Sequence, residues 1–403
     1  MPIASPPSPA SDSQTAPDLY RPLAPDADPT TDGLLSGSRI CVQPRIAVGG
    51  WRMEAGSAAL AGYVASEDAF VIERLRAGGA QLTGSVRIAE FGFGLEGDTT
   101  GPAVCRDNQA AVLADALGES RMIAAEHGLW AFQPSHGAVS RRGLAGLIPS
   151  METLAVVARD AGTLERVLQA VVAPDALDPS MRQQNLPGFG SPAPDASSST
   201  VGVVMEAVDR LDPKTRASFH QRLVEAAGRG LTFREATLPG WAMFRPVHHV
   251  IGSVEASSSA GRYDGVRYGH RVPGAANWND MYLHSRAESF GALLKSYLFQ
   301  GAGFQFLDYD AYENACRIRR RLVADVEALF GAVDLLALPV SPGAADAGAT
   351  PSVSGIYDRF ESTLPANVLG LPVLCHNGIQ WIAPRYRDAN LLALMTRLAG
   401  GVP

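Results

Sequence analysis

The amino-acid sequence predicts a globular α/β protein, and three observations support that class. The chain has 403 residues, 46% of them hydrophobic and only 19% charged, so it can bury a large core and lacks the composition of a disordered chain. Short apolar runs typical of strands alternate with amphipathic helical patterns, which is the rhythm of α/β layers. The 41 glycines and 28 prolines indicate many turns between those elements.

The N-terminal segment, residues 1–33, stands apart from the rest of the chain. It contains eight prolines, five aspartates and a single basic residue, Arg21. Because this composition cannot form a packed core, it predicts a disordered or draped arm. We therefore expect one folded domain over residues 34–403.

The first folded elements are predicted to be a strand, a helix and a strand. Residues 39–42 form a short apolar run. Residues 67–77 place their apolar side chains on one helical stripe, and the two glycines that follow are typical of a helix end. Residues 80–84 form a second strand-like run. Their order predicts a β–α–β unit at the start of the domain.

The same alternation returns further along the chain. Residues 163–171 predict a helix with Thr163 as its N-cap. Residues 185–200 are rich in Pro, Gly and Ser, and they predict a surface loop or linker within the domain. The remaining predicted elements are a strand at 201–204, a helix at 212–228, a strongly amphipathic helix at 310–330 and a buried strand at 333–339.

Charge and cysteine usage argue against several classes of protein. The formal net charge is -7, whereas nucleic-acid binders normally carry a basic excess. The cysteines are far apart and form no CxxC pair, which argues against a disulfide framework or a zinc ribbon. The sequence contains neither a long apolar run nor a signal-peptide pattern. We therefore expect a cytoplasmic protein that binds neither membranes nor nucleic acid.

Six segments, in order along the chain, resemble one known family. They are residues 55–84, 132–144, 255–271, 286–301, 309–342 and 367–373. Together they are similar to the amidase signature family, and within it to the A subunits of the glutamyl-tRNA(Gln)/aspartyl-tRNA(Asn) amidotransferases. The resemblance covers roughly residues 34–395.

The resemblance implies both a fold and a chemistry. The implied fold is a mixed, mostly parallel central sheet with helices on both faces. The implied chemistry is amide hydrolysis by a serine nucleophile, a second serine held by a cis peptide and a neutral lysine base. Backbone N–H groups of a Gly/Ser-rich loop stabilise the oxyanion. The family implies no cofactor and no metal.

Two parts of that machinery are missing from the sequence. Gln43 stands at the position of the family's lysine, and an amide side chain cannot act as a base near neutral pH. The family's Gly/Ser-rich loop is replaced by residues 101–109, which contain one glycine and no serine. Cys105 lies in that replacement and is a candidate thiol nucleophile, with His127 or His136 as its base; a buried structural cysteine is the alternative.

The nucleophile itself also departs from the family pattern. The family's Asp-Thr-Gly-Gly-Ser-Ile-Arg is represented by residues 115–121, Asp-Ala-Leu-Gly-Glu-Ser-Arg. An alignment without gaps places Glu119 on the nucleophilic serine and Ser120 one position later. Because the region is shorter than in the family, Ser120 remains an alternative occupant of that position.

The resemblance also implies residues on the substrate side of the site. Arg286 matches an arginine that holds the substrate carboxylate. Phe360 aligns with the aspartate that holds the substrate ammonium in the amidotransferase branch, with Asp358 and Glu361 nearby. His127 is a further candidate for contact with substrate. The loss of the aspartate puts glutamine recognition in doubt.

Three functional hypotheses follow from these residues. The first is a pseudo-amidase that has lost serine–serine–lysine hydrolysis and retains a ligand pocket or a partner-binding role. The second is an enzyme with rebuilt chemistry that hydrolyses or transfers an amide or acyl group. The third is a working member of an amidotransferase complex, which the missing lysine disfavours. A small amide or carboxylate ligand and a protein partner or homo-oligomer are expected partners.

Overall fold

An 11-stranded sheet organises the computed structural model, which describes residues 19–20, 32–181, 199–340 and 351–400. Most of the predicted N-terminal arm lies outside the described residues. Its residues Leu19–Tyr20 form a short edge strand of the sheet. The predicted loop at 185–200 also lies outside them, except for Ser199 and Thr200, which begin a strand.

Strands and helices alternate over much of the chain, as the sequence predicts, but four helices follow one another between β8 and β9. The strands are β1 Leu19–Tyr20, β2 Arg39–Val42, β3 Gln81–Val86, β4 Ala110–Asp115, β5 Trp130–Gln133, β6 Thr153–Ala158, β7 Ser199–Val204, β8 Leu231–Ala236, β9 Leu335–Pro339, β10 Val373–His376 and β11 Ile379–Ile382. The helices are α1 Phe70–Ala77, α2 Thr100–Arg106, α3 Glu119–His127, α4 Ala161–Val171, α5 Met205–Val208, α6 Pro213–Ala227, α7 Trp241–Ala260, α8 Trp278–Ser289, α9 Ala292–Phe306, α10 Tyr309–Leu329, α11 Val353–Phe360, α12 Leu364–Leu369 and α13 Asp388–Leu398.

The sheet is mixed, with the strand order β1-β3-β2-β4-β6-β5-β10-β11-β9-β7-β8. The prediction of a mixed sheet flanked by helices is confirmed, but the prediction of mostly parallel pairing is wrong. Of the ten neighbouring pairs among the described strands, four are parallel and six are antiparallel. The cause is that β6 enters between β4 and β5 from the opposite end, and that β10 and β11 form a hairpin.

The central strands are buried on both faces. Every residue of β4, β6 and β9 is buried. Because successive side chains of a strand point to opposite faces, continuous burial requires a covering layer on each side. Helices therefore cover the middle of the sheet on both faces, and the sequence runs that look apolar throughout correspond to these strands.

The helix termini follow local sequence, with one correction. The N-cap of α4 is Asp160, not the predicted Thr163, because the Asp160 carboxylate accepts from the backbone N–H of Thr163. Asp212 caps α6 in the same way, and Pro213 occupies the first helical turn. In both helices the N-cap side chain satisfies a backbone donor that has no partner within the helix.

Candidate functional site

The connection between β4 and α3 forms the centre of the candidate site. It contains Ala116, Leu117 and Gly118, and we call it the β4–α3 loop. Gly118 has a φ of 116°, a conformation that side-chain-bearing residues rarely adopt. A Cβ atom at this position would also lie 2.3 Å from the Cβ atom of Thr363. Glycine is therefore required where the chain turns into α3.

The carboxylate of Glu119 folds back over this loop. Its Oε2 atom accepts hydrogen bonds from the backbone N–H groups of Ala116, Leu117 and Gly118, at 2.9, 2.9 and 3.2 Å. Three convergent N–H groups before a helix N-terminus form a nest that favours an anion. In this chain an oxygen of the Glu119 carboxyl group itself occupies the nest.

The second oxygen of Glu119 has a different environment. Its Oε1 atom is buried and has no hydrogen-bond partner among the described residues. Burial, together with the nearby charge of Asp115, raises the pKa of Glu119 to about 8. The backbone donors oppose that shift because they favour the ionised form. Burial and the neighbouring carboxylate outweigh the donors.

Ser120 has a structural role, because its side chain and its backbone both bond to Asp115. Its Oγ atom donates to Oδ2 of Asp115 at 2.5 Å, and its backbone N–H donates to the same oxygen at 3.0 Å. The side chain is completely buried. A serine that acts as a nucleophile must be reached by its substrate and must donate its proton to a base. Ser120 does not meet the first condition in this structure.

Arg121 lies at the centre of a buried polar cluster, which we call the Arg121 network. Its guanidinium donates to the carbonyl of Thr363 at 2.9 Å and to side-chain oxygens of Gln380 and Gln133 at 3.0 and 2.9 Å. It also donates to Asn367. Nothing of its side chain is exposed. The network thus joins α3 to β5, β11 and α12.

Asp115 supplies the negative charge of the Arg121 network. Its Oδ1 atom lies 3.5 Å from Nη2 of Arg121 and accepts from Nδ2 of Asn367 at 3.0 Å. Both carboxylate oxygens therefore have partners, whereas Nε of Arg121 is buried without one among the described residues. Partners for the remaining donors and acceptors offset the cost of burying an ion pair. The pair of Asp115 and Arg121 thus joins the two ends of the segment 115–121, and the nest lies between them.

A buried histidine supports the loop from the opposite side. Nε2 of His248 lies 2.9 Å from the carbonyl oxygen of Ala116. Because a carbonyl only accepts, Nε2 carries the proton, and Nδ1 accepts from the hydroxyl of Tyr357 at 2.9 Å. The hydroxyl of Tyr297 then donates to Tyr357 at 3.1 Å. Burial lowers the pKa of His248 to about 4, so the ring is neutral at physiological pH.

Gln43 lies close to the nest and is also immobilised. Its Oε1 atom accepts from the backbone N–H of Ala114 at 3.1 Å, and its side chain is buried. The residue therefore pins the end of β2 to β4. The structure places Gln43 beside the end of β4, and the side chains of Gln43, Glu119 and Ser120 all have structural partners.

Phe360 is the last residue of α11. It is fully buried, and its carbonyl accepts from the backbone N–H of Thr363 at 2.9 Å. The two nearby acidic residues are engaged elsewhere, since Asp358 pairs with Arg245 and Glu361 pairs with Arg210. Neither acid is thus free to hold a substrate ammonium in place of the missing aspartate.

The structure separates Cys105 and His127 from the other predicted catalytic residues. Cys105 is exposed, and its Sγ atom lies 4.0 Å from the carbonyl oxygen of His127. His127 ends α3, whereas Glu119 begins it, so the two residues are about 12 Å apart along the helix. The His127 ring packs against Gly101, and its Nδ1 lies 3.1 Å from the carbonyl of Ile123.

Thiol reactivity should follow this placement. We expect a maleimide to modify Cys105 in the native protein but to modify Cys41 and Cys375 only after unfolding, because burial raises the pKa of both these thiols to about 12 and the thiolate is the reactive form. Intact mass before and after denaturation gives the count, and Cys105→Ser is the control. Rapid native modification of Cys41 or Cys375 would contradict the burial described here.

Backbone carbonyls hold the Nη1 end of the guanidinium of Arg286. Its guanidinium donates to the carbonyl of Tyr263 at 3.2 Å and to that of Ala260, and it lies 5.0 Å from the ring centroids of Tyr282 and Phe290. Burial lowers its pKa. Its predicted contact with a substrate carboxylate stays a prediction.

Sequence reasoning missed most of the residues that build the site. The Asp115 and Arg121 ends of the family motif were a usable signal, because they match while the residues between them do not. Thr363, Asn367 and Gln380 carry no such signal.

Among the described residues, no group of three or more His, Cys, Asp or Glu side chains lies together as a metal site, and no described helix is long and apolar enough to cross a membrane.

Comparison with known proteins identifies the family of this fold and site. The family model described as Amidase matches residues 15–106 and 118–392. The chain therefore belongs to the amidase signature family. The unmatched residues 107–117 end immediately before Gly118 and Glu119, so the interruption covers β4 and most of the β4–α3 loop.

Two curated relatives carry the same name. The A subunit of glutamyl-tRNA(Gln) amidotransferase from Symbiobacterium thermophilum is 31% identical over 411 residues, which covers 91% of this chain and 83% of the relative. Its counterpart from Natronomonas pharaonis is 29% identical over 413 residues, which covers 91% and 96%. The chain is thus homologous to these A subunits over most of its length.

Solved structures agree on the fold. The crystal structure of the glutamyl-tRNA(Gln) amidotransferase A subunit from Thermotoga maritima has a TM-score of 0.75 at 19% identity and covers 94% of this chain and 87% of its own. The 6-aminohexanoate cyclic dimer hydrolase bound to substrate has a TM-score of 0.75 at 20% identity and covers 91% and 85%. At these identities the likeness shows the amidase-signature fold alone.

Proposed function

We propose that this protein is a pseudo-amidase, an amidotransferase A-like chain that has lost serine-based amide hydrolysis and acts by binding a ligand or a partner. The observation that supports it is the carboxyl group of Glu119 in the nest of three N–H groups. In hydrolases such convergent donors stabilise the oxyanion of the reaction intermediate. A carboxyl oxygen that already accepts from all three leaves no donors for a substrate carbonyl.

The other candidate groups support the same reading. Ser120 is fully buried and bonded to Asp115, and Gln43 is bonded to the backbone of β4. A serine hydrolase needs a nucleophile, a base and an open set of oxyanion donors within reach of each other. None of the three functions is available from the residues that the family resemblance assigns to them.

A role in an assembly is supported by the relatives' names, since several curated relatives are named as the A subunit of an amidotransferase. We infer that the chain acts beside a protein partner or a second copy of itself, in the cytoplasm. A small amide or carboxylate ligand remains the expected small-molecule partner. The net charge of -7 argues against direct nucleic-acid binding.

One observation favours the alternative of rebuilt acid–base chemistry. A carboxyl group with a pKa near 8 can exchange protons at physiological pH, as general acids and bases do. However, Glu119 is 2% exposed, so a substrate would reach it only after the β4–α3 loop had opened. The closed Arg121 network and the buried His248 oppose that opening.

A fluorophosphonate probe, read out by intact mass, tests the loss of hydrolysis. We expect no adduct on the wild-type chain, because such probes report serines that are activated and accessible. An active amidase treated in parallel shows that the probe works. An adduct on the wild type that is absent from Ser120→Ala would contradict the proposal, and so would one that persists there, since it would locate an activated serine elsewhere.

A further inference from the structure

A cleft of about 300 Å³, which we call the arginine cleft, lies apart from the candidate site. It is formed by the segment 141–149, the turn 177–180 and Arg262, and its described lining contains none of the predicted catalytic or substrate-binding residues. Three guanidinium groups line it, those of Arg141, Arg142 and Arg262. Its volume lies at the small end of the range of small-molecule sites.

The charges of the three arginines are compensated unequally. Arg142 forms ion pairs with Glu73 at 2.9 Å and with Asp175 at 3.0 Å. Within the described part of the chain, Arg141 and Arg262 form no ion pair. Neither guanidinium therefore has a carboxylate at ion-pair distance, although the charge of Arg141 contributes to lowering the pKa of Asp178.

Local hydrogen bonds fix these two side chains at the cleft. Arg262 donates from Nε to the carbonyl of Ser259 at 2.9 Å and from Nη2 to that of Gly146 at 3.0 Å. The Nε atom of Arg141 lies 3.4 Å from Oγ of Ser180. These contacts orient each guanidinium, and neutral acceptors leave its positive charge in place.

One carboxylate also lines the arginine cleft, but the fold uses its oxygens. Oδ2 of Asp178 accepts from the backbone N–H of Arg141 at 2.6 Å. Oδ1 accepts from the backbone N–H and the hydroxyl of Ser180, at 2.8 and 2.6 Å. Asp178 is 8% exposed. It therefore shapes the turn and presents little surface to a ligand.

A neighbouring histidine adds no positive charge to the cleft. Nε2 of His136 lies 3.0 Å from the carbonyl of Pro149, which lines the cleft. Burial lowers the pKa of His136 to about 4, and the positive charges of Arg141, Arg385 and Arg319 lower it further. The ring is therefore neutral at physiological pH, and the positive charge of the cleft comes from its arginines.

We propose that the arginine cleft binds a small dianion, either a phosphate monoester or a dicarboxylate. A guanidinium matches the geometry of both groups, because it presents parallel N–H donors to two oxygens. Arg141 and Arg262 supply the two charges that the dianion neutralises. This site goes beyond the proposed function and does not depend on it.

Isothermal titration calorimetry with inorganic phosphate and with succinate tests this site. We expect the wild type to bind at least one of the two, and Arg141→Gln and Arg262→Gln each to weaken binding by about tenfold or more, since each removes a charge-assisted interaction. Added salt should weaken binding as well. Binding of phosphate alone assigns a phosphate monoester, and binding of succinate alone assigns a dicarboxylate.

Control variants distinguish a loss of binding from a loss of folding. Arg321→Gln removes an exposed arginine that pairs with Asp325 on α10, and it should leave binding unchanged. Arg141→Gln makes the smaller structural change of the two cleft variants, because Arg262 also bonds two carbonyl groups. Circular dichroism checks that each variant is folded. Absence of binding by the wild type, or equal affinity in Arg141→Gln and the wild type, would overturn the proposal.

Discussion

Replacement of Arg121 by methionine should lower the free energy of unfolding by about 3–5 kcal/mol, the range measured when one partner of a buried ion pair is removed. Methionine fills a similar volume, so the cost arises from lost interactions rather than from a large cavity. The substitution leaves Asp115 buried without its guanidinium. It also leaves the side-chain oxygens of Gln133, Asn367 and Gln380 without their shared donor.

Urea unfolding of the wild type and the variant measures this effect. The matched control is Arg317→Met, which removes an exposed arginine paired with Glu313 four residues earlier on α10; such surface pairs contribute about 0–1 kcal/mol. Arg121→Lys keeps the charge but lacks the planar fork, so we expect an intermediate loss. A loss in Arg121→Met no larger than in Arg317→Met would show that the Arg121 network does not stabilise the fold.

The Arg121 network explains why the ends of the motif persist while its centre has changed. Asp115 and Arg121 join α3 to the sheet and to α12, so their role is structural whatever chemistry takes place beside them. An alignment without gaps places Glu119 on the family's nucleophile, and in the structure its carboxyl group satisfies backbone donors of the β4–α3 loop. The side chain at this position thus also contributes to the local structure.

Local patterns predicted those elements whose cause is local. The 310–330 periodicity corresponds to α10, Tyr309–Leu329, and the apolar run at 333–339 corresponds to β9, Leu335–Pro339. The direction of strand pairing could not be predicted in this way. β6 lies between β4 and β5 although it follows both in sequence, and no periodicity within a strand records which neighbour it will meet.

The candidate site also has a part that the sequence could predict and a part that it could not. Glu119 and Ser120 adjoin in sequence, so their shared place at the start of α3 was predictable. The partners of Arg121 in Thr363, Asn367 and Gln380 lie 242, 246 and 259 residues away along the chain. Only the folded sheet brings them together. Cys105 and Glu119 are close in sequence but not in the structure. Cys105 lies beside His127 at the end of α3, whereas Glu119 begins that helix.

Raising the pH from about 6.5 to 8 should destabilise the wild type by about 1–2 kcal/mol relative to Glu119→Gln. The folded-state pKa of Glu119 is raised to about 8, whereas an unfolded glutamate has a pKa of about 4.3. Between these values the folded state holds a proton that the unfolded state has released. Stability therefore falls as pH rises and levels off above the folded pKa.

The comparison with Glu119→Gln isolates Glu119 from other groups with shifted pKa values. Burial raises the pKa of Asp98 and Asp388 to about 6, so their similar contribution is largely complete by pH 6.5. Burial lowers the pKa of four histidines, and because unfolded histidine titrates near pH 6.5, their opposite contribution extends into the lower part of the window; they are His136, His248, His249 and His376. These groups titrate alike in both proteins, so the difference between the two profiles reports the carboxyl in the nest.

The comparison rests on slopes, because Glu119→Gln also carries a constant cost. The amide oxygen of glutamine can accept the same three N–H groups, while its NH₂ group takes the place of the unpartnered Oε1 and remains without an acceptor, at about 1–3 kcal/mol. That cost does not change with pH. Urea unfolding at several pH values separates the two effects. Parallel profiles for wild type and variant would mean that Glu119 is ionised throughout, held by the backbone donors of Ala116, Leu117 and Gly118 against the effect of burial.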